Sequence, residues 1–429
     1  MQYAAKISAT IDLLDIFLAS SVPFDIIMAK FFKNNRWVGA SDRREIAELS
    51  YAIFRNYELM KFYTSAITSN FGRFFVITFL RTKRKLSLQQ MMEIFSGKPY
   101  APSKLTDFEL HFMDSLNAVM NDNTLELPLH VRQNYPLWME SHLQRIYPAE
   151  SIIAELSALN QKANVDLRTN TLKTTRIELK QMLQESGVEV EETRYAANGL
   201  RILNGRVSRS HAVLAQGFAE IQDEGSQLVA EMCQAKSTDT VIDFCAGAGG
   251  KTLALAAAMQ NKGRIFALDK YPERLEHAKV RLRRANVGNV FCHELTSKWI
   301  KRHCECADVV LVDAPCSGSG TWRRNPDMRA KFSCTDLGEL LVVQSNILQS
   351  AAKLVRRGGR LLYATCSILM EENEDQINDF LKKFPEFESI NPEISQKLAA
   401  TQPSRNHLLR LSPAIHGTDG FFVACLGKK

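Results

Sequence analysis

From Asp239 onward the 429-residue sequence keeps a rhythm that leaves few folds open. Short apolar runs, "DTVIDFCAG", "GRIFALDK", "NVFCHEL", "ADVVLVDAP", "GRLLYATCS" and "GFFVACL", are interleaved with segments of helical length and spacing: "KTLALAAAM", "PERLEHAKVRLRRAN", "DLGELLVVQSNILQSAAKLV" and "EENEDQINDFLKKF". Strands alternating with helices of this length predict a parallel sheet with helices on both faces. In such sheets ligands sit at the carboxyl ends of the strands. Asp243, Asp269, Asp313 and Cys366 all fall at such ends.

Before this rhythm the texture changes once. The start is poor in glycine, and "ATIDLLDIFLA" and "SDRREIAELSYAIFRNYELMKFY" carry apolar residues three and four apart. The second opens on Ser41 and Asp42 as a capping pair with Glu45 in the first turn, so a helical bundle is expected. From about Pro128 short strand-like stretches alternate with one good helix, Thr175 to Glu185, as in a small α/β module. The expected domains are residues 1–125, helical; 126–230, small α/β; and 231–429, the strand–helix domain.

The longest tempting apolar run, Phe74 to Leu80, is closed by Arg73 and Arg81 and falls far short of the roughly 18 residues that span a bilayer. Asp12 and Asp15 interrupt the first apolar stretch, which does not read as a signal peptide. All nine cysteines lie from Cys233 onward, and an odd number without secretory context argues for reduced thiols. The expectation is a cytoplasmic protein with no membrane contact and nothing that demands an oligomer. "HCEC" (His303 to Cys306) resembles a metal cluster but lacks a second pair, so no metal site is expected. The net charge of +7 is modest, yet the bases cluster in "RTKRK", "KVRLRR" and "TWRRNP", which suits a phosphate backbone. Solvated helix faces give the same pattern.

"VIDFCAGAGGKT" places glycines after an apolar strand, where the backbone turns tightly toward a ligand at a helix N-terminus. A phosphate-binding loop of the G-x-x-x-x-G-K-[ST] type would need glycine where Cys245 stands, and a nicotinamide fingerprint would need it where Thr252 stands. The third reading is S-adenosylmethionine, with Asp243 toward its amino-acid end and Asp269 toward its ribose hydroxyls.

Two further apolar runs end on cysteines, in "LVDAPCSGSGTWRRNPD" and "LLYATCSILMEEN". Carbon-5 of cytosine attacks a methyl sulfonium poorly until a thiolate adds to carbon-6 and turns the ring into an electron-rich enamine. Such chemistry needs a nucleophilic thiol, a donor at N3 and a route for losing the carbon-5 proton. Asp313, if burial raises its pKa, is a candidate N3 donor. Lys251 is a candidate cation to favour a thiolate. Cys316 and Cys366, in loops after strands, are the candidate reactive pair, whereas Cys245, Cys292 and Cys425 within apolar strands read as inert core thiols on their pattern alone.

With these motifs assembled, the sequence resembles the RsmB (Fmu/Sun) family of RNA cytosine carbon-5 methyltransferases over most of its length. "DFCAGAGGKT" resembles the cofactor loop, "DAPCSGSGTWRRNPD" and "YATCSILMEENE" the two cysteine motifs, "QDEGSQL" the entry to the catalytic domain, and "HGTDGFFVACL" its last strand. "RTNTLK" and "YPLWMESHL" resemble the small RNA-binding module, and "ASDRREIAELSYAIFRN" the NusB-like domain. The resemblance implies a class I S-adenosylmethionine-dependent methyltransferase (Rossmann-like) domain, preceded by a small α/β RNA-binding module and an all-α NusB-like domain.

It further implies that Cys366 is the nucleophile and that Cys316 assists breakdown of the adduct, the reverse of the DNA methyltransferases. Cys245, Ala246, Gly247, Ala248, Gly249, Gly250 and Lys251 would line S-adenosylmethionine, Asp269 would bind its ribose, Glu294 would stand near its adenine, and Asp313 would lie between cofactor and base. The family loop commonly has proline where Ala248 stands and aspartate where Glu294 stands. The implied partner is RNA, ribosomal RNA above all and 16S in particular, with Arg168, Arg323 and Arg324 holding phosphates; the alternatives are a transfer-RNA cytosine-5 methyltransferase and a non-catalytic RNA-binding assembly factor on the same fold.

Overall fold

The computed structural model describes residues 1–121, 126–391, 396–401 and 408–429, and its contacts divide the chain into two units. The first is Met1–Gln161 with Arg324–Ser333. Helices Tyr3–Leu18 and Ala40–Phe54 pack around Phe71–Thr82, whose sequence is apolar on nearly every side because the helix is central. Leu14, Phe17, Phe54, Ile77 and Leu80 are buried in that one core.

Two local expectations are corrected here. Ser41 does not cap its helix: the N-cap is Gly39 and no side chain bonds it, while Asp42 and Glu45 pair with Lys6 at 3.1 and 2.6 Å. Residues following Pro128 are not strands either, but helices Leu129–Gln133, Glu140–Ile146 and Ala149–Asn160. Pro128 and Pro148 are N-caps, positions where a missing N–H costs nothing.

The excursion Arg324–Ser333 is anchored in the same unit by polar ties. Asp327 accepts the Phe24 N–H at 3.3 Å, and Arg329, 2 % exposed, donates to the Asn134 carbonyl at 2.7 Å and to the Asn160 side chain. Lys331 donates to the carbonyls of Phe17 and Ser20.

The second unit, Lys162–Arg323 and Cys334–Lys429, holds two sheets. The smaller is made of β1 (Asp166–Thr169), β2 (Glu189–Glu192), β3 (Gly199–Asn204) and β4 (Ala219–Ile221), in the order β2-β3-β1-β4 with antiparallel pairs throughout. Helix Arg176–Glu185 joins β1 to β2 and opens on a capping box of Thr175 and Glu178. This is the split βαβ order of a ferredoxin-like module.

The larger sheet contains β5 (Thr240–Asp243), β6 (Arg264–Asp269), β7 (Val290–Glu294), β8 (Ala307–Asp313), β9 (Val355–Thr365), β10 (Phe387–Ser389), β11 (Leu408–Leu411) and β12 (Phe421–Lys428). Its path is β10-β12-β9-β8-β5-β6-β7, parallel from β9 to β7, with β12 antiparallel to β9 and β11 paired to β12. Val241, Leu311 and Leu362 face one buried cluster while Ile242, Val310 and Leu361 face another, as expected for a sheet covered on both sides. The strand order reverses direction at β5 and β8, and a crevice opens beyond their carboxyl ends.

Candidate active site

A cavity of about 940 Å³ opens at that crevice, lined by Asp243, the loop Cys245–Ala248, Gly250 and Lys251, Asp269 and Asp313. Leu295, Ile300, Val343 and Ile347 supply an apolar side. The loop leaves β5 and enters helix Gly250–Ala258 through two left-handed glycines, Gly247 (φ 54°) and Gly249 (φ 79°). A Cβ on Gly249 would also press on the Ala278 methyl at 3.0 Å, so both backbone angle and space require glycine there.

Acidic residues close the cavity floor. Asp243 is 1 % exposed; its Oδ2 accepts the Thr252 hydroxyl at 2.6 Å, while Oδ1 is buried without a hydrogen-bond partner. Burial pushes its carboxyl up to about 7, against the lowering effect of the Thr252 bond. Asp269 accepts the Gly247 and Tyr271 N–H groups, each at 2.8 Å. Asp313 is paired with Lys251 at 2.6 Å. Burial pulls the Lys251 ammonium down, yet the neighbouring Asp313, with Cys366 and Asp243 beyond it, outweighs burial and raises it. Lys251 is therefore held as an ammonium.

Beside the pair stand the two cysteines. Cys316 Sγ lies 3.4 Å from Cys366 Sγ, and both residues are partly exposed. The hydrogen bond to Cys366 and then burial raise the Cys316 thiol well above its ordinary value, with the charges of Cys366 and Glu372 acting in the same direction. One sulfur is thus a hydrogen-bond donor to the other.

The chain that carries this site has counterparts among known proteins. The family model described as 16S rRNA methyltransferase RsmB/F matches residues 230–427, and the RsmF/B-like ferredoxin-like domain matches residues 135–208. A probable ribosomal RNA small subunit methyltransferase B of Synechocystis is 32 % identical over 71 % of this chain and 69 % of its own length. That of Bacillus subtilis is 32 % identical over 70 % and 68 %. The chain belongs to the RsmB/F family. Among solved structures, PH0851 matches 100 % of this chain and 99 % of its own with a TM-score of 0.80 at 27 % identity. A methyltransferase homolog from Pyrococcus horikoshii matches 70 % and 97 % with a TM-score of 0.60 at 28 % identity.

S-adenosylmethionine is the cofactor of RsmB/F methyltransferases, and the donor set fits it. The orphan Oδ1 of Asp243 faces a need that an ammonium would meet. Each Asp269 oxygen uses one lone pair on a backbone amide and keeps another for a ribose hydroxyl. The apolar side suits an adenine ring. Of the residues expected around the cofactor, Gly249 and Glu294 do not line the cavity; Glu294 is in register with Asp269 but exposed, and Leu295, Thr296 and Ser297 line the cavity in its neighbourhood.

Asp313, the candidate N3 donor, is ion-paired with Lys251, and both residues line the cavity. Two of the three arginines expected on phosphates are buried. Arg168 is 7 % exposed and donates to the Gly250 carbonyl at 2.7 Å and to Gln222 Oε1 at 2.5 Å. Arg323, 5 % exposed, pairs with Asp419 at 3.3 Å and donates to the Gly417 carbonyl. In "KVRLRR", Arg281 and Arg284 hold Glu220 at 3.0 and 2.5 Å, and Arg281 also donates to the Ala248 carbonyl at 2.7 Å. The ferredoxin-like module thereby fastens the cofactor loop.

Sequence reasoning missed the frame behind the thiols. Gly320 donates its N–H to the Cys366 carbonyl at 2.9 Å, and its own carbonyl accepts the Gly420 N–H at 2.9 Å. Asn373 accepts the Thr365 hydroxyl at 2.5 Å and donates to the Ser367 carbonyl at 2.9 Å. The signal was there, in "SGSG" and "EEN", but nothing in either string states what lies across from it.

Proposed function

We propose that this RsmB/F methyltransferase forms 5-methylcytosine in ribosomal RNA, 16S in particular, through a covalent adduct of Cys366. The observation that carries the reading is the pair of sulfurs 3.4 Å apart beside the Lys251–Asp313 ion pair. Relatives named ribosomal RNA small subunit methyltransferase B support the choice of RNA. The helical unit and the ferredoxin-like module would hold structured RNA by shape, and the target cytidine would leave its stack to reach the site.

Lys251 offers Nζ toward N3, while the Asp313 carboxylate accepts from the exocyclic amine. The Cys366 sulfur adds to carbon-6, and the ring electrons move toward N3, where the cation lowers their energy. S-adenosylmethionine, when bound, supplies the methyl group that carbon-5 takes up. The carbon-5 proton then passes to solvent, the carbon–sulfur bond breaks, and the double bond re-forms. Cys316 gives a hydrogen bond to the departing Cys366 sulfur, which leaves as a thiolate.

The test is a denaturing gel of enzyme with RNA transcript and cofactor. Cys316→Ala is expected to accumulate a covalent enzyme–RNA band, and Cys366→Ala to abolish both band and methylation. A band that survives Cys366→Ala and vanishes with Cys316→Ala reverses the two roles. Mapping 5-methylcytosine in total RNA with and without the gene assigns the RNA.

A further inference from the structure

One buried carboxylate stands behind the thiols with no part in these steps. Glu372 is 0 % exposed, at the end of the 3-10 turn Met370–Glu372. An ionised group so buried is costly unless its lone pairs are filled. Here Oε1 accepts the Ser317 N–H at 2.8 Å and Gln344 Nε2 at 2.9 Å, and Oε2 accepts the hydroxyls of Ser317, at 2.5 Å, and of Ser367. The main-chain carbonyl of Glu372 takes the Tyr363 hydroxyl at 2.7 Å.

Ser317 follows Cys316 and Ser367 follows Cys366, so one carboxylate grips the residue next to each sulfur. Ser319 closes the mesh: its hydroxyl lies 3.0 Å from that of Ser317 and 3.1 Å from that of Ser367, and it accepts the Ile368 N–H at 3.0 Å. Ser317, Ser319 and Ser367 are all buried. Three hydroxyls and a carboxylate in a dry space form a network whose members hold one another in a single arrangement.

We propose that Glu372 is the positioning residue of the thiol pair: its carboxylate locks the two cysteine loops in register, and its negative charge keeps Cys316 a protonated donor to the Cys366 sulfur. The inference rests on the covalent reading of the two cysteines. The titratable groups around Cys316 are Cys366, Glu372 and Tyr363, with Lys251 and Asp313 on the Cys366 side. Lys251, the cation of this set, is ion-paired with Asp313, and the leading charges acting on Cys316, those of Cys366 and Glu372, both raise it. A buried anion there disfavours a second one on the neighbouring sulfur. The two thiols are thereby made unequal: the one on the Glu372 side is held as the protonated donor.

Glu372→Gln keeps the shape and removes the charge. In the free protein, alkylation of Cys316 by iodoacetamide, followed by peptide mass spectrometry across pH, is expected to shift its midpoint downward by about one pH unit. With RNA and cofactor the same variant is expected to slow release, so the covalent band builds up. Ser367→Ala keeps the charge and loosens one loop: the Cys316 midpoint stays, and adduct formation slows by about tenfold.

A Cys316 midpoint unmoved by Glu372→Gln overturns the electrostatic part, and so does an equal shift in Ser367→Ala. Adduct formation at the wild-type rate in Ser367→Ala overturns the positioning part, and that variant serves even if Glu372→Gln fails to fold. Methylation persisting in Cys366→Ala would instead overturn the covalent reading, and the RNA-free thiol titration separates the two failures.

Discussion

Replacing Asp243 with asparagine tests the electrostatics of the cofactor cavity in the cofactor-free protein. The carboxyl is 1 % exposed, and burial raises its pKa from 3.8 to about 7. In the unfolded chain it releases its proton near the lower value; in the folded chain it keeps it until the upper one. Between them the native state binds more protons than the unfolded state, so stability falls as pH rises, by at most about 1.4 kcal/mol for each pH unit. Across the interval from 3.8 to about 7 this amounts to about 4 kcal/mol, fully lost above it. Asparagine accepts the Thr252 hydroxyl with nearly the same shape and does not titrate.

Urea unfolding of both proteins, from about pH 4.5 to about pH 8, should therefore show the wild type losing stability relative to Asp243→Asn until neutrality, and the difference levelling beyond it. Titrating groups remote from Asp243 are common to both and cancel. A difference that stays constant over this range would refute the argument that burial governs this carboxyl. The same reasoning gives a sign for cofactor binding. An ammonium beside Oδ1 favours the ionised form, so S-adenosylmethionine binding near pH 6, about one unit below the raised value, should release a proton, measurable as a buffer-dependent heat.

Three other substitutions probe separate parts of the site. Gly320→Ala puts a Cβ 2.1 Å from the Gly420 carbonyl oxygen and 2.9 Å from that of Cys366, contacts with backbone that does not yield; a loss of about 3 kcal/mol in thermal or urea unfolding, together with lost methylation, is expected. Arg168→Met removes two buried charge-assisted donors from Gly250 and Gln222, and calorimetry should find S-adenosylmethionine bound about tenfold more weakly, partly restored by Arg168→Lys; unchanged affinity would mean the loop holds itself. Lys251→Met should leave the protein folded by circular dichroism while the methylation rate falls by about 10² to 10³, and a fall below tenfold would remove Lys251 from the charge-stabilising role.

The sheet was legible because its signal is local. Six apolar runs at helix-length intervals fix a doubly covered sheet, and the four residues placed at strand ends are there: Asp243, Asp269 and Asp313 close β5, β6 and β8, and Cys366 follows β9. β10 and β11 escaped notice because three- and four-residue strands carry too little periodicity to stand out. The arginines failed for a different reason. Arg168 and Arg323 are indistinguishable in sequence from phosphate-binding bases, and their partners, a carbonyl at Gly250 and a carboxylate at Asp419, lie far along the chain. Burial of a cation depends on such distant partners, and composition does not report them.

The cysteine pair shows how the sheet itself sets the chemistry. β8 and β9 are parallel neighbours, with Asp313 opposite Ala364, so the loops that leave them start side by side at the roughly 4.8 Å spacing of adjacent strands. Cys316 comes three residues after the first of these and Cys366 two after the second, which brings the sulfurs to 3.4 Å although fifty positions separate them. Spacing alone leaves the two thiols equivalent. What separates them is the neighbour each strand end supplies: Lys251 reaches toward Cys366 from the cofactor loop, whereas Glu372, two buried serines and Gln344 enclose the Cys316 side. On the covalent reading proposed above, the choice of nucleophile would follow from where one cation and one buried anion stand, and exchanging the roles would require moving those charges rather than the cysteines.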